Sequence, residues 1–191
     1  MNLKCRSSGI KPHAAVVVAT VRALKLHGGG PAVSPGKPLP HSYTNEDVEL
    51  VKKGVSNLVR HIENTKKFGV PVVVAMNVFP TDTPAEHAVI KEAALAAGAD
   101  DCVLCTHHSE GGKGAAALGE AVVAACEKNA SAADFKLLYP KELSIKAGGR
   151  KPYDERVAPR LEIAPSSAVN LGTVRCTCSS PSIRTLVTCD A

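Results

Sequence analysis

Val72 to Ala75 run apolar without alternation, and the run ends abruptly on the polar residues Asn77, Thr81, Asp82 and Thr83. An unbroken apolar stretch that short suits a strand buried on both faces, as in a parallel sheet beneath helices. Thr83-Pro84-Ala85-Glu86 then reads as a capping box with proline at the first helical position. The pattern predicts a helix from Pro84 to about Ala97, with Val89, Ile90, Ala93 and Ala97 on its apolar side and Gly98 as its stop. Upstream, His13 to Thr20 reads as a strand, and residues 28–42 as a Gly/Pro loop. Asn45 to Lys67 reads as a long helix, because Val48, Val51, Val55, Leu58 and Ile62 recur at spacings of three and four. Thr44 is placed to cap it, with Asp47 three residues on, and Gly69 to end it. Downstream, Asp101 to Cys105 reads as a third strand, and the turn EGGKG leads into a helix over Ala115 to about Lys128. Phe135 to Tyr139 is expected as a fourth strand, with a helix beginning near Lys141.

Alternating strands and helices imply an α/β fold: a parallel sheet with flanking helices and right-handed crossovers. The three strand-to-helix junctions then share one sheet edge, and each carries polar chemistry: Thr20–Arg22, Asn77–Thr83 and Thr106–Lys113. In open α/β sheets the crevice outside the carboxyl ends of the strands is where ligands bind. After about Ala147 no helical or strand period is sustained, and Ser, Thr, Pro, Arg and Cys dominate. The expected division is therefore an ordered domain over 1–146 and a divergent, disordered tail over 147–191.

The 191 residues suffice for one domain, and the 45% hydrophobic fraction for its core. With aromatics at 3% and no Trp, that core must be built from Ala, Val and Leu. The net charge of +5 is mild and no Lys/Arg-rich run stands out, so nucleic-acid binding is not indicated, whereas an anionic small ligand fits. No apolar run approaches the roughly 20 residues of a membrane helix. The N-terminus imitates a secretory signal weakly, but its apolar part is short and runs into Arg22 and Lys25. Seven cysteines, odd in number and unevenly spread, suit free thiols in a reducing compartment.

Several motifs carry candidate chemistry. Two near matches to G-x-x-x-x-G-K-[ST] fail: Pro38 follows Gly36-Lys37, and Gly114 follows Gly112-Lys113 with His107 at the earlier glycine position. Gly111, Gly112 and Lys113 still precede a helix, where they form either an anion-holding turn or a simple flexible entry. Cys102-Val-Leu-Cys105 precedes His107 and His108, but residues three apart on a strand face opposite ways, and no partner motif stands at zinc spacing. A metal site is not expected there. Arg22, Lys25 and His27 follow the first strand and either meet an anion or form a solvated helix face. Phe79 and Pro80 sit in a polar loop, where Phe79 either anchors the loop or stacks on a flat heterocycle.

These segments resemble one family, the formate–tetrahydrofolate ligases. The resemblance rests on VATVRALKLHGG, on GGGPAVSPGKPLPHSYTNEDVELVKKGVSNLVRHIENTKKFGVPVVVAMNVFPTDT, on CTHHSEGGKGAAALGEAV and on FKLLYPKELSIK, covering about Cys5 to Lys146. GGGP and CTHH look most like plant or algal members. The resemblance implies a P-loop NTPase-like sheet lacking the N-terminal phosphate-loop part. It implies ATP, Mg²⁺, formate and tetrahydrofolate as substrates and cofactors, and 10-formyltetrahydrofolate made through formyl phosphate. It places Asn77, Phe79, Pro80, Thr81, Asp82 and Thr83 in a folate/nucleotide loop. His107 and His108 join them, with His108 where an aromatic commonly helps to sandwich the folate ring. Arg22, Lys25, Gly111, Gly112 and Lys113 remain as anion-binding candidates, and no catalytic residue is assigned. Because the family's phosphate-binding loop lies upstream of this sequence, the isolated chain is expected to be impaired, or to bind folate or nucleotide without turnover, or to be a truncated product. Expected surroundings are the cytoplasm, with mitochondrion or plastid as alternatives. No nucleic-acid or membrane partner is expected, and a homo-oligomer belongs to the full-length enzyme.

Overall fold

The computed structural model describes residues 1–34, 38–140 and 142, together with the backbone of Arg184–Thr188. In chain order the elements are α1 (Lys4–Ser8), β1 (Ala14–Ala19), α2 (Val21–His27), α3 (His41–Thr44), α4 (Val48–Lys66), β2 (Val72–Asn77) and α5 (Pro84–Ala96). They continue as β3 (Asp101–Cys105), α6 (His107–Glu110), a 3-10 turn (Gly111–Ala115), α7 (Ala116–Lys128) and β4 (Arg184–Thr188).

The sheet order is β3-β2-β1-β4. β1, β2 and β3 are parallel, with Ala19 opposite Met76 and Asn77 opposite Cys105, so their carboxyl ends finish side by side. α4 and α5 cover one face. Val17 and Ala19 of β1, with Val72, Val74 and Met76 of β2, pack there against Val51, Val55, Leu58 and Ile62 of α4 and Ile90 and Ala94 of α5. Alternation along the strands sends Ala14 and Val73 to the opposite face, where they meet Ala125 of α7 with Leu118, Ala121 and Val122 around it. The first face holds the large side chains and the second is built from small ones.

Two glycines set the spacing of α2 and α4. A Cβ on Gly54 would lie 1.8 Å from the Leu24 carbonyl oxygen, and one on Gly28 would lie 2.1 Å from that of Leu50. The two helices therefore touch backbone to backbone, which only glycine permits.

The structure departs from the sequence-based expectations at several places. α4 begins at Val48 and is capped by Asp47, whose carboxylate accepts from the Leu50 amide at 2.9 Å; Thr44 instead closes the short helix α3. Phe135–Tyr139 is not a strand. Phe135 stacks on Phe68 with ring centroids 6.5 Å apart, and the Lys136 amide donates to the Phe68 carbonyl, so this stretch is held as an irregular strap. The helix expected near Lys141 lies outside the described residues. Within the stretch expected to lack structure, Arg184–Thr188 forms β4, which runs antiparallel along β1 with Ala14 opposite Thr188. Its alternation RTLVT is too short to stand out as a period amid the surrounding Ser, Thr and Pro. Among the described residues, no helix is long and apolar enough to cross a membrane.

Candidate functional site

The carboxyl ends of β1, β2 and β3 deliver three loops to one edge. β1 ends at Thr20, whose hydroxyl caps α2 by accepting from the Ala23 amide at 3.1 Å. This fixes the first turn of α2 and places Arg22 there. β2 runs into Asn77–Thr83, and the Arg22 guanidinium lies over the Phe79 ring, 4.9 Å from its centroid. Two residues that are 57 positions apart (79 − 22) thus form one platform. Among the described residues Arg22 has no carboxylate partner, so its N–H donors are left for water or a ligand. One ring face of Phe79 is taken by Arg22, and Pro80 beside it is exposed.

The loop shapes itself. The Asp82 carboxylate accepts from the Phe79 amide at 2.9 Å, and the Asp82 amide donates to the Phe79 carbonyl at 3.0 Å. With its side chain 4% exposed, Asp82 holds the turn that presents Phe79. Thr83 caps α5, accepting from the Glu86 amide while its own amide donates to the Glu86 carboxylate, so the expected capping box is present in both directions. Asn77 ends β2 with its side-chain oxygen buried and without a hydrogen-bond partner among the described residues. An unsatisfied buried acceptor is costly and is the kind of group that a ligand donor or an ordered water completes. Thr81 lies half-buried in the same loop.

Lys25 requires a correction. Far from facing an anion, its side chain is 1% exposed and its ammonium is 2.7 Å from the Glu86 carboxylate and 2.7 Å from the Asn45 carbonyl. Its charge is neutralised inside the protein, and we remove it from the anion-binding candidates. Glu86 also accepts from the Asp47 amide at 2.8 Å. Burial disfavours its charge, yet the Asp47 amide, the Lys25 ammonium and the Thr83 amide outweigh that and hold its carboxyl below the ordinary carboxylate value. Sequence reasoning gave Glu86 a capping role only. The one available signal was that Arg22 and Lys25 stand three apart and so share a helix side.

The third loop is different in kind. The Thr106 amide donates to the Gly114 carbonyl, and a Cβ on Gly114 would lie within 2.7 Å of three Thr106 atoms, so the 3-10 turn folds tightly back on the end of β3. Gly111, Gly112 and Lys113 are exposed, with open space around both glycines. His107 and His108 are also exposed, and the His107 Nδ1 lies 3.1 Å from the Cys105 thiol. Cys102 faces the large-residue core instead, where burial pushes its thiol up to about 11. The two cysteines of the C-x-x-C therefore sit on opposite faces of β3. His27, at the end of α2, lies against α4; burial lowers its pKa, and burial together with the His27 charge lowers that of His61. Two shallow hollows of the described surface lie elsewhere, one beside Arg6 and Leu137–Pro140 and one beside His13 and Cys126.

Residues 1–150 match the family described as formate–tetrahydrofolate ligase. The chain belongs to this family. A formate–tetrahydrofolate ligase of Spinacia oleracea is 58% identical over 146 residues, which is 76% of this chain and 23% of that protein. The cytoplasmic C-1-tetrahydrofolate synthase of Drosophila melanogaster is 56% identical over 144 residues, 75% of this chain and 15% of its own length. The Schizosaccharomyces pombe counterpart is 51% identical over 176 residues, 90% of this chain and 18% of that protein. This ligase-family chain thus spans about a fifth of the length of the curated relatives it matches. The fission-yeast match also reaches past residue 146, further than the sequence resemblance was expected to run.

Proposed function

We propose that the carboxyl edge of this sheet is the folate/nucleotide-binding edge of a formate–tetrahydrofolate ligase. The activity proposed is ATP-dependent ligation of formate to tetrahydrofolate, giving 10-formyltetrahydrofolate through formyl phosphate. The observation that carries the reading is the Arg22–Phe79 platform, formed where two parallel strands release their loops. A flat heterocycle stacks on the ring face of Phe79 that Arg22 leaves free, or against Pro80 at its side. The Arg22 guanidinium and the exposed Lys113 supply positive charge for phosphate or carboxylate groups, and Gly111 and Gly112 let such a group approach the backbone. Asn77 offers its buried oxygen to a donor such as a pterin or purine amino group. His107 and His108 close the third side. Asp82 and Thr83 act by shaping the loop.

Bound ATP would supply the phosphoryl group that activates formate. Holding a mixed anhydride away from water and close to a bulky amine is a task of orientation and exclusion, for which a preformed stacking platform is suited. Among the described residues no three His, Cys, Asp or Glu side chains gather as a metal site. The descent of the sheet from a P-loop NTPase-like fold, a cytoplasmic setting, and assembly into a homo-oligomer are parts of the same proposal.

The test is calorimetric titration of the chain with tetrahydrofolate and, separately, with MgATP, comparing Phe79→Ala and Arg22→Ala with the unmodified sequence. Saturable binding that weakens in both variants is expected, and binding insensitive to either substitution overturns the placement. A formylation assay with formate, MgATP and tetrahydrofolate separates turnover from binding alone.

A further inference from the structure

Arg22 and Lys25 lie one helical turn apart on α2. Phe79 lies in the loop that joins β2 to α5, and Glu86 in the first turn of α5. Both pairs make contact across the gap between α2 and that loop: Arg22 lies over Phe79, and Lys25 is bonded to Glu86. The contacts close a ring. From Lys25 the path runs to the Glu86 carboxylate, on to the Thr83 amide, through Asp82 to the Phe79 amide, across the ring face to Arg22, and back along one turn of α2. A second branch ties in the start of α4, because Lys25 donates to the Asn45 carbonyl and the Asp47 amide donates to Glu86.

We propose that the buried Lys25–Glu86 pair is a positioning device, which clamps α2 to the β2–α5 loop and thereby fixes the Arg22 guanidinium over Phe79. The inference deepens the reading of this edge as the ligand edge and rests on it, although its test requires no ligand.

Three features argue for positioning over simple stabilisation. First, both charges are buried, with side chains 1% and 0% exposed, and a buried ion pair seldom stabilises a fold better than apolar residues of the same shape. Its distinguishing property is direction, since each partner is satisfied only in one arrangement. Second, the Glu86 oxygens are divided between the two elements that need to be held: one takes the Lys25 ammonium and the Asp47 amide, and the other takes the Thr83 amide. Third, α2 is a helix of seven residues, too short to hold its own orientation in water. Its anchors are the buried side chains of Val21 and Leu24, the Gly28–Gly54 contact at its end and the Lys25–Glu86 pair in its middle. The glycine contact sets how close α2 lies to α4. Val21 and Leu24 turn its apolar side into the core, and the ion pair holds the side next to it, one turn from Arg22, against Glu86.

The experiment reads Arg22 directly in the unliganded full chain. In a ¹⁵N-labelled sample the Arg22 Nε–H resonance, assigned by its loss in Arg22→Lys, is shifted by the ring current of Phe79. Phe79→Leu gives the unshifted reference. Lys25→Met keeps the length of the stem and removes the charge, while Glu86→Gln keeps one acceptor for the backbone amides. Both are expected to move the Arg22 resonance most of the way to the Phe79→Leu position. Lys52→Met, which removes an exposed pair on α4, is expected to leave it in place. If Lys25→Met and Glu86→Gln lower the melting temperature but leave the Arg22 resonance at its original shift, the pair is structural only and the proposal fails. Should Glu86→Gln not fold, Lys25→Met decides alone. Should neither fold, the Arg22 resonance in the unmodified chain is followed as pH falls: loss of the ring-current shift before the strand amides lose exchange protection supports the proposal, and simultaneous loss overturns it.

Discussion

The two halves of the carboxyl edge are built in opposite ways. At the β1–β2 junction, Arg22, Lys25, Phe79, Asp82, Thr83 and Glu86 are linked by contacts, and the side chains of Lys25, Asp82 and Glu86 are buried. At the end of β3, His107, His108, Gly111, Gly112 and Lys113 are exposed. Their region is held by local contacts, with the Ser109 and Glu110 amides donating to the Thr106 carbonyl, the Thr106 hydroxyl donating to the Glu110 carboxylate, and Gly114 passing tightly beside Thr106. The first half is tied together by side-chain contacts between distant segments, and the second by local hydrogen bonds within its own turn.

The sharpest way to break this contrast is to unpair Lys25. Glu86→Ala leaves a buried ammonium without its carboxylate and removes the acceptor of the Thr83 amide in the capping box of α5, for a loss of about 3–5 kcal/mol in unfolding free energy. His108→Ala, in the open half, is expected to stay within about 0.5 kcal/mol. Urea unfolding of both variants makes the comparison, and similar losses would erase the distinction between the two halves. Gly54→Ala is next in size. The added methyl group meets the Leu24 carbonyl, so α2 must shift, at about 1–3 kcal/mol, and binding that depends on Arg22 should weaken with it.

Acid sharpens the comparison further. His27 and His61 have lowered pKa values, so the unfolded chain takes up their protons first. Their contribution to stability is complete above about pH 6.5, their ordinary value, and declines as pH falls from there towards the lowered folded values. Glu86 adds a second decline lower down, below its ordinary 4.5, as pH falls through its depressed folded value. Melting temperatures from pH 7.5 to 5 should drop less in His61→Gln than in the unmodified chain. Smaller still is the effect of Arg22→Ala on stability, about 0.5–1 kcal/mol for a lost cation–π contact, although its effect on ligand affinity should be much larger. Last, a thiol reagent at neutral pH should label Cys126, which is half-buried, well before Cys102, whose thiol is pushed up to about 11. Equal labelling rates would mean that the large-residue core opens as readily as the face covered by α7.

Much of the bonded half was legible in sequence, but its wiring was not. The run Val72–Ala75 and the box Thr83–Glu86 announce β2 and α5 because local chemistry alone determines both. Phe79 and Arg22 could each be assigned to the carboxyl edge of the sheet from topology. That they touch, and that Lys25 turns inward to Glu86, depends on how α2 is rotated, and no local pattern encodes that. Lysine is read as exposed by default, which is right for most lysines and wrong for one whose partner lies 61 residues away (86 − 25). Thr44 was expected to cap the long helix, yet Asp47 does, since the helix starts at Val48 and the Asp47 carboxylate accepts from the Leu50 amide. Phe135–Tyr139 has the composition of a strand, but its backbone and ring are engaged by Phe68. β4 went unseen since strand pairing across more than 160 residues leaves no periodic trace (184 − 18).

The sheet's two margins differ in what they accept. Along β1, a newcomer would have to displace β4 from bonds already made. Along β3, among the described residues, the outer row of amides and carbonyls has no strand beside it, and Leu104 is 49% exposed on that strand. An extended segment arriving there would add its bonds to the existing ones at no loss, so any lateral growth of this sheet, whether by a companion stretch of protein or by unwanted self-association, has a single favoured direction.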